Sequence, residues 1–194
     1  MGVDRLKVSD VFYDLPPLET ERLILRKVTV DDAEDMFEYT SVPDVSKYVP
    51  WQTHQTIEDT HQFIAFIMKQ YESGKLAPWA IECKEKSKVI GTFDFVTWYP
   101  QHYRAEIGFI LSRDFWGKGL ILEAAKEVTR FGFEHMNLNI IKAPCMTENV
   151  QSASVLQKLG MELEGVLKEQ YYIKGQFRDM AMYSIRNANF KGAE

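Results

Sequence analysis

Hydrophobic and polar positions along this chain change their period several times, and each change marks an element. Residues 22–28 (RLILRKV) alternate as a strand with one buried face. Asp31 and Asp32 then stand where a helix cap is needed, ahead of a short helix through Met36 and Phe37 to about Tyr39. Pro43 and Pro50 bracket a loop that carries Tyr48 and Trp51. Thr56 and Asp59 have the spacing of a capping box, and Ile57, Phe63, Ile64, Ile67 and Tyr71 fall roughly on one side of a helix that Gly74 ends. Residues 77–83, 89–98 and 105–111 read as three strands joined by polar turns, which predicts an antiparallel meander.

After Trp116 the period becomes helical. Leu120, Ile121, Ala124, Ala125, Val128, Phe131 and Gly132 share one face, with Lys118, Glu123, Lys126, Glu127, Arg130 and Glu134 opposite. A strand over 140–146, a helix over 149–158 stopped by Gly160, and two strands over 161–173 and 177–185 complete the pattern. The expected fold is α/β (α+β), a mixed and mostly antiparallel sheet of about seven strands with about four helices. Residues 1–18 read as a loosely held arm, 19–187 as one domain and 188–194 as a tail.

Composition alters this picture little. A chain of 194 residues that is 45% hydrophobic and 26% charged suits one globular domain. The net charge of -5 argues against a general nucleic-acid binder. No run reaches the ~18 apolar residues of a membrane span, so a cytoplasmic protein without membrane contact is expected. Cys83 and Cys145 lack metal or CxxC spacing and read as free buried thiols, and the four histidines are scattered, so no metal is expected.

The segment with most chemistry is Trp116-Gly117-Lys118-Gly119-Leu120-Ile121, a glycine turn between a strand and a helix. A helix N-terminus offers unpaired N–H groups and partial positive charge, and glycines let a phosphate approach the backbone closely. Lys118 adds a solvent-facing charge. The GxxxxGK[ST] of a P-loop is absent, and a meander rather than a parallel sheet precedes the turn, unlike a dinucleotide-binding GxGxxG. Taken alone, the turn fits either a diphosphate site or a tight structural connection.

A second segment, Asn149-Val150-Gln151-Ser152-Ala153-Ser154-Val155-Leu156-Gln157-Lys158-Leu159-Gly160-Met161, follows one strand later. Together the two resemble the GNAT acetyltransferase superfamily. More narrowly the chain is similar to the branch that acetylates the N-termini of ribosomal proteins. Thr20 to Arg26 (TERLILR), Glu106-Ile107-Gly108, Trp116-Gly117-Lys118-Gly119, Glu123-Ala124, Glu164 to Leu167 (EGVL) and Gly175 to Asp179 carry that likeness. It spans about residues 18 to 186. Three positions depart from the superfamily pattern: Trp116 stands in place of a Gln or Arg, as is usual in this branch, Ile121 replaces a small residue, and Leu156 replaces a tyrosine that often donates a proton.

The resemblance implies acetyl-CoA as co-substrate and an amine acceptor, such as a protein N-terminus, attacking directly in a ternary complex. A small amine (a polyamine, an amino acid or an antibiotic) and a non-catalytic CoA-binding module are the alternatives. A lysine amine (pKa ~10.4) needs about 4 kcal/mol to become neutral near pH 7, whereas an α-amine (~7.8) lies close to that state. Glu106 is then the expected base, acting through water. Phe109, Ile110 and Leu111 are expected along the pantetheine arm, with the Phe109 N–H polarising the thioester. Residues 116–121 would hold the pyrophosphate, Asn149 and Ser152 the arm, and Ser152 or Ser154 would serve the departing thiolate. Tyr48, Trp51, Trp98 and Tyr99, with Tyr171 and Tyr172, are candidates for the acceptor groove. Relatives are often dimers, so a homodimer is a further expectation.

Overall fold

The computed structural model describes residues 6–191. Its centre is one eight-stranded sheet. In spatial order the strands are β1 (Leu18–Glu19), β2 (Leu23–Lys27), β3 (Trp79–Cys83), β4 (Lys88–Tyr99), β5 (Arg104–Leu111), β6 (Ile140–Met146), β8 (Gln176–Arg186) and β7 (Glu162–Ile173). Neighbours are antiparallel except β5 and β6, which run parallel. The helices are α1 (Val8–Phe12), α2 (Ala33–Thr40), α3 (Pro43–Ser46), α4 (Ile57–Glu72), α5 (Leu120–Glu134) and α6 (Val150–Lys158). The mixed α/β architecture is the expected one. The extra elements are β1, α1 and α3, of two, five and four residues, too short to leave a periodic trace.

The amino-terminal segment differs from the loose arm expected. Phe12 is fully buried, 6.3 Å ring to ring from both Trp79 and Trp98. Leu15 and Leu18 join the same core, and the Trp79 Nε1–H donates to the Pro16 carbonyl at 2.8 Å. Charged neighbours hide these apolar positions in the sequence. Residues 1–5 of the arm and 192–194 of the tail lie outside the described residues.

Caps follow the same logic with one shift. Thr56 and Asp59 form the expected box, the Thr56 N–H reaching Asp59 Oδ2 at 2.9 Å. Before α2, however, Thr29 is the capping residue and Asp32 closes the box, while Asp31 stays exposed. Asp32 also holds Arg26 in a bidentate pair at 2.8 and 2.9 Å. That pair accounts for a buried carboxylate that a sequence shows only as a cap.

α5 packs on the sheet face that carries Trp79 and Phe95. Phe131 meets Trp79 edge-on at 5.6 Å. A Cβ on Gly132 would lie 3.0 Å from Ile141 Cδ1 and 3.1 Å from Phe95 Cζ, so this helix approaches closely through a missing side chain. Gly91 is under greater constraint, since a Cβ there would stand 2.1 Å from the Ile110 carbonyl oxygen.

The sheet opens at its one parallel junction. β5 and β6 pair only at Arg104↔Ile140, Ala105↔Ile141 and Glu106↔Lys142. Beyond Glu106, β5 stays with β4 as far as Leu111, and β6 stays with β8 as far as Met146. A wedge therefore opens between residues 107–111 and 143–146.

Candidate active site

Backbone direction decides what the wedge offers. The Ser112 N–H donates to the Ile90 carbonyl at 2.7 Å. Bonded positions alternate in an antiparallel pair. Gly108 and Ile110 therefore spend their N–H and C=O on β4, and Phe109 and Leu111 turn theirs to the wedge. The indole Nε1–H of Trp116 takes the Leu111 carbonyl at 2.8 Å. That leaves the Phe109 and Leu111 N–H groups as donors, and only the side chain of Ile110.

The glycine turn lies at the end of β5. Gly117 and Gly119 have φ of 74° and 76°, a left-handed conformation that side chains disfavour. Gly119 is the N-cap of α5, and the first helical bond runs from the Glu123 N–H to its carbonyl at 3.1 Å. The N–H groups of Leu120, Ile121 and Leu122 consequently have no helical acceptor. Their side chains do not obstruct them: Leu120 and Ile121 are buried in the core. The bulk of Ile121 is thus turned away from the turn. Lys118 extends over the Phe115 ring, 5.0 Å from its centroid.

A brace that the sequence did not reveal holds this turn. Glu123, on the first turn of α5, accepts from Thr20 Oγ1 at 2.6 Å, from the Arg22 N–H at 2.8 Å and from Arg22 Nε at 2.6 Å. Arg22 Nη1 reaches back to the Lys118 carbonyl at 3.0 Å. Burial raises the Glu123 pKa, but the bonds from Thr20 and Arg22 outweigh it and hold the carboxyl below its usual range. Thr20, Arg22 and Glu123 were visible only as motif letters; their joint task is to fix the segment that shapes residues 117–119.

Across the wedge stands the start of α6. Asn149 is its N-cap, accepting the Ser152 N–H on Oδ1 at 3.1 Å, which leaves the amide nitrogen to donate elsewhere. The Cys145 thiol donates to the Asn149 carbonyl at 3.5 Å, and burial raises its pKa. Cys83 and Cys145 are both free and buried. Residues two apart are about 200° apart around a helix, so Ser152 and Ser154 cannot both face the wedge. Leu156 is buried in the core.

The other end of the wedge gathers side chains from three strands. Glu106 is partly buried and pairs across β4 with Thr97, whose buried hydroxyl has no partner. Tyr171 of β7 has its phenol pushed up by burial, and by the charges of Glu106 and Tyr99. Arg104 stacks 4.5 Å from the Tyr99 centroid. Of the candidate groove aromatics, Tyr99 and Tyr171 therefore lie with Glu106. Trp98 belongs to the core against Phe12, and Trp51 stacks on His54 and Phe63. Tyr48 donates to the Glu148 carbonyl at 3.2 Å, and exposed Tyr172 packs on Phe177.

Comparison with known proteins agrees with this architecture. Residues 22–162 match the family model for the acetyltransferase (GNAT) domain. The chain is 35% identical over 175 residues to an uncharacterized N-acetyltransferase, p20, of Bacillus licheniformis, covering 90% of this chain and 98% of the relative. It is 24% identical over 176 residues to the [ribosomal protein uS5]-alanine N-acetyltransferase of Escherichia coli, covering 87% and 89% of the two. Among solved structures, a GNAT-family acetyltransferase from Bacillus anthracis superposes with a TM-score of 0.78 at 31% identity, over 88% of this chain and 98% of that one. A wedge between parallel strands, a glycine turn of free N–H groups beside it and a match over most of the chain lead to one conclusion: this chain belongs to the GNAT family and is an acetyl-CoA-dependent N-acetyltransferase.

Proposed function

We propose that the acceptor is the N-terminal α-amine of a protein, such as a ribosomal protein, which attacks acetyl-CoA directly in a ternary complex. The observation that supports direct transfer is that two sets of unspent backbone donors, Phe109 with Leu111 and residues 117–122, follow Glu106 along one strand and turn. The pyrophosphate is held by the N–H groups at 117–122, with Lys118 adding charge. The pantetheine arm lies along Phe109 and Leu111, facing Asn149 and Ser152. The Phe109 N–H polarises the thioester carbonyl, and Glu106 holds the water through which the amine's proton leaves. Ser152, with its backbone N–H capped by Asn149, serves the departing thiolate.

The choice of acceptor rests on the amine's own chemistry, because an α-amine needs little deprotonation near neutral pH. The likeness to the uS5-alanine enzyme supports it. One observation favours a polyamine instead: a spermidine N(1)-acetyltransferase of Escherichia coli is 33% identical over 101 residues, about half of each chain. A thiol-release assay with acetyl-CoA decides between them. Release with peptides beginning Ser or Ala, and not with spermidine, is the expected result. Release with spermidine alone assigns the polyamine.

A further inference from the structure

Asp94 is a carboxylate without a task in the scheme so far. It lies on β4 directly opposite Gly108 of β5. Phe93 and Phe95 on either side are fully buried toward α5, so alternation turns Asp94 to the other face, the one that carries Glu106 and Thr97. Its Oδ1 stands 3.1 Å from the point where a Cβ on Gly108 would be. The missing side chain leaves that space to the carboxylate and to Val96 Cγ1, which stands 3.0 Å from the same point. Gly108 borders the wedge and precedes Phe109, whose N–H faces the thioester in the proposed complex.

Strand geometry sets the distances. One strand spacing, about 4.8 Å, separates β4 from β5, and two residues along β5, about 7 Å, separate Gly108 from Glu106. Asp94 and Glu106 are therefore diagonal neighbours about 8 Å apart between Cα atoms, a span that their side chains and a water can bridge. Among the described residues no hydrogen bond or ion pair reaches the Asp94 carboxylate. Thr97, beside it on the same face, also buries an unpartnered hydroxyl. Three polar groups thus converge on the amine's side of the wedge, and among the described residues none has a hydrogen-bond partner.

We propose that Asp94 receives the proton of the attacking amine, through water that Glu106 and Thr97 hold. This rests on the acetyl-transfer reading and deepens it. The ammonium gives one proton through the water to the Asp94 carboxylate. The freed lone pair forms the C–N bond at the acetyl carbon. The C–S bond then breaks, its electron pair passes to sulfur, and the second amine proton neutralises the thiolate as CoA–SH. Asp94 returns its proton to solvent after the products leave, so one proton is released per turnover.

Burial without a counter-ion pushes the Asp94 carboxyl up to about 7, which suits a group that must accept a proton near neutral pH and lose it again. The groups facing it are Tyr71 of α4, whose phenol is itself raised to about 12 mainly by burial, and Glu106, Tyr99 and Tyr171 at the rim. The Arg26, Asp32 and Glu82 cluster in the next row of β2 and β3 is paired within itself.

The test measures kcat/KM against pH for the wild type, Asp94→Asn and Glu106→Gln, with a Ser-initiated peptide and with methoxyamine, a weakly basic amine that needs no proton acceptor. Thiol release by the wild type reports the transfer reading itself, and its absence with both acceptors overturns that reading and this one with it. With transfer present, Asp94→Asn is expected to lose about 100-fold with the peptide at pH 7. Its acid limb should move from near 7 toward the amine's own pKa, while methoxyamine turnover and acetyl-CoA affinity stay at wild-type values. Glu106→Gln keeps the acid limb of the wild type. An Asp94→Asn enzyme with unchanged peptide kinetics, or one that loses methoxyamine equally, overturns the assignment of Asp94.

Discussion

The two sides of the wedge are built by different means. On the proposed donor side the groups are the backbone N–H groups of Phe109, Leu111 and residues 117–122. Glycine conformation shapes them, and the Glu123 carboxylate clamps them through Thr20 and Arg22. On the proposed acceptor side the groups are side chains from three strands, Asp94, Glu106, Tyr99 and Tyr171, with no hydrogen bond among them. In the proposed complex backbone groups hold the cofactor and side chains meet the acceptor.

Variants that sharpen this contrast separate cofactor affinity from turnover. The largest effect is expected from Gly119→Val, which forces a branched side chain to φ 76° at the α5 N-cap. Acetyl-CoA affinity should fall about 100-fold by calorimetry, or about 2.7 kcal/mol. An unchanged Kd would break the idea of a backbone-held pyrophosphate.

Glu123→Ala comes next. It strips the brace without touching the turn, so affinity should fall about tenfold, and chemical denaturation should show a loss of about 1.5–3 kcal/mol from the charged hydrogen bonds. The pH dependence has a definite sign. Glu123 has a folded pKa below its unfolded value, so its contribution is fully present above about pH 4.3 and lost as pH falls through the folded pKa. Urea unfolding should therefore separate wild type from Glu123→Gln at pH 7, and the gap should narrow as the pH falls below the usual carboxylate range. A gap that does not narrow with falling pH would mean the carboxylate is not what holds the brace.

Ser152→Ala should lower kcat more than it weakens acetyl-CoA binding; turnover within about twofold of wild type would remove Ser152 from the mechanism. The smallest effect is expected from Tyr171→Phe. It keeps the ring and removes the hydroxyl beside Glu106, so the acceptor KM should rise about threefold while the Kd for acetyl-CoA stays put. A change in that Kd would mean the two sides are not separate.

The same contrast explains what could be read from the chain before its structure. The long strands, α4 and α5 announce themselves by period, because each lays an apolar face on the core. Gly117 and Gly119 are legible because left-handed backbone leaves few residues to choose from. The amino-terminal segment is not: Phe12, Leu15 and Leu18 have no period over so short a stretch, yet Phe12 fills the space between Trp79 and Trp98. Arg22 and Glu123 lie about a hundred positions apart in the chain, and their pairing exists only once β1, β2 and α5 have packed. Asp94 reads as an ordinary polar residue of an alternating strand. Its isolation comes from Gly108 across the ladder, a relation that only register makes visible.

The most direct test of this division is an amide chemical-shift map of the labelled protein, titrated first with acetyl-CoA and then, on the CoA-saturated protein, with a Ser-initiated peptide. The account predicts that acetyl-CoA moves the amides of Phe109, Leu111 and residues 117–122 most, and that the peptide then moves those around Asp94, Glu106 and Tyr171. Acetyl-CoA shifts centred away from the glycine turn, or peptide shifts that fall on the turn rather than beside Glu106, would contradict it.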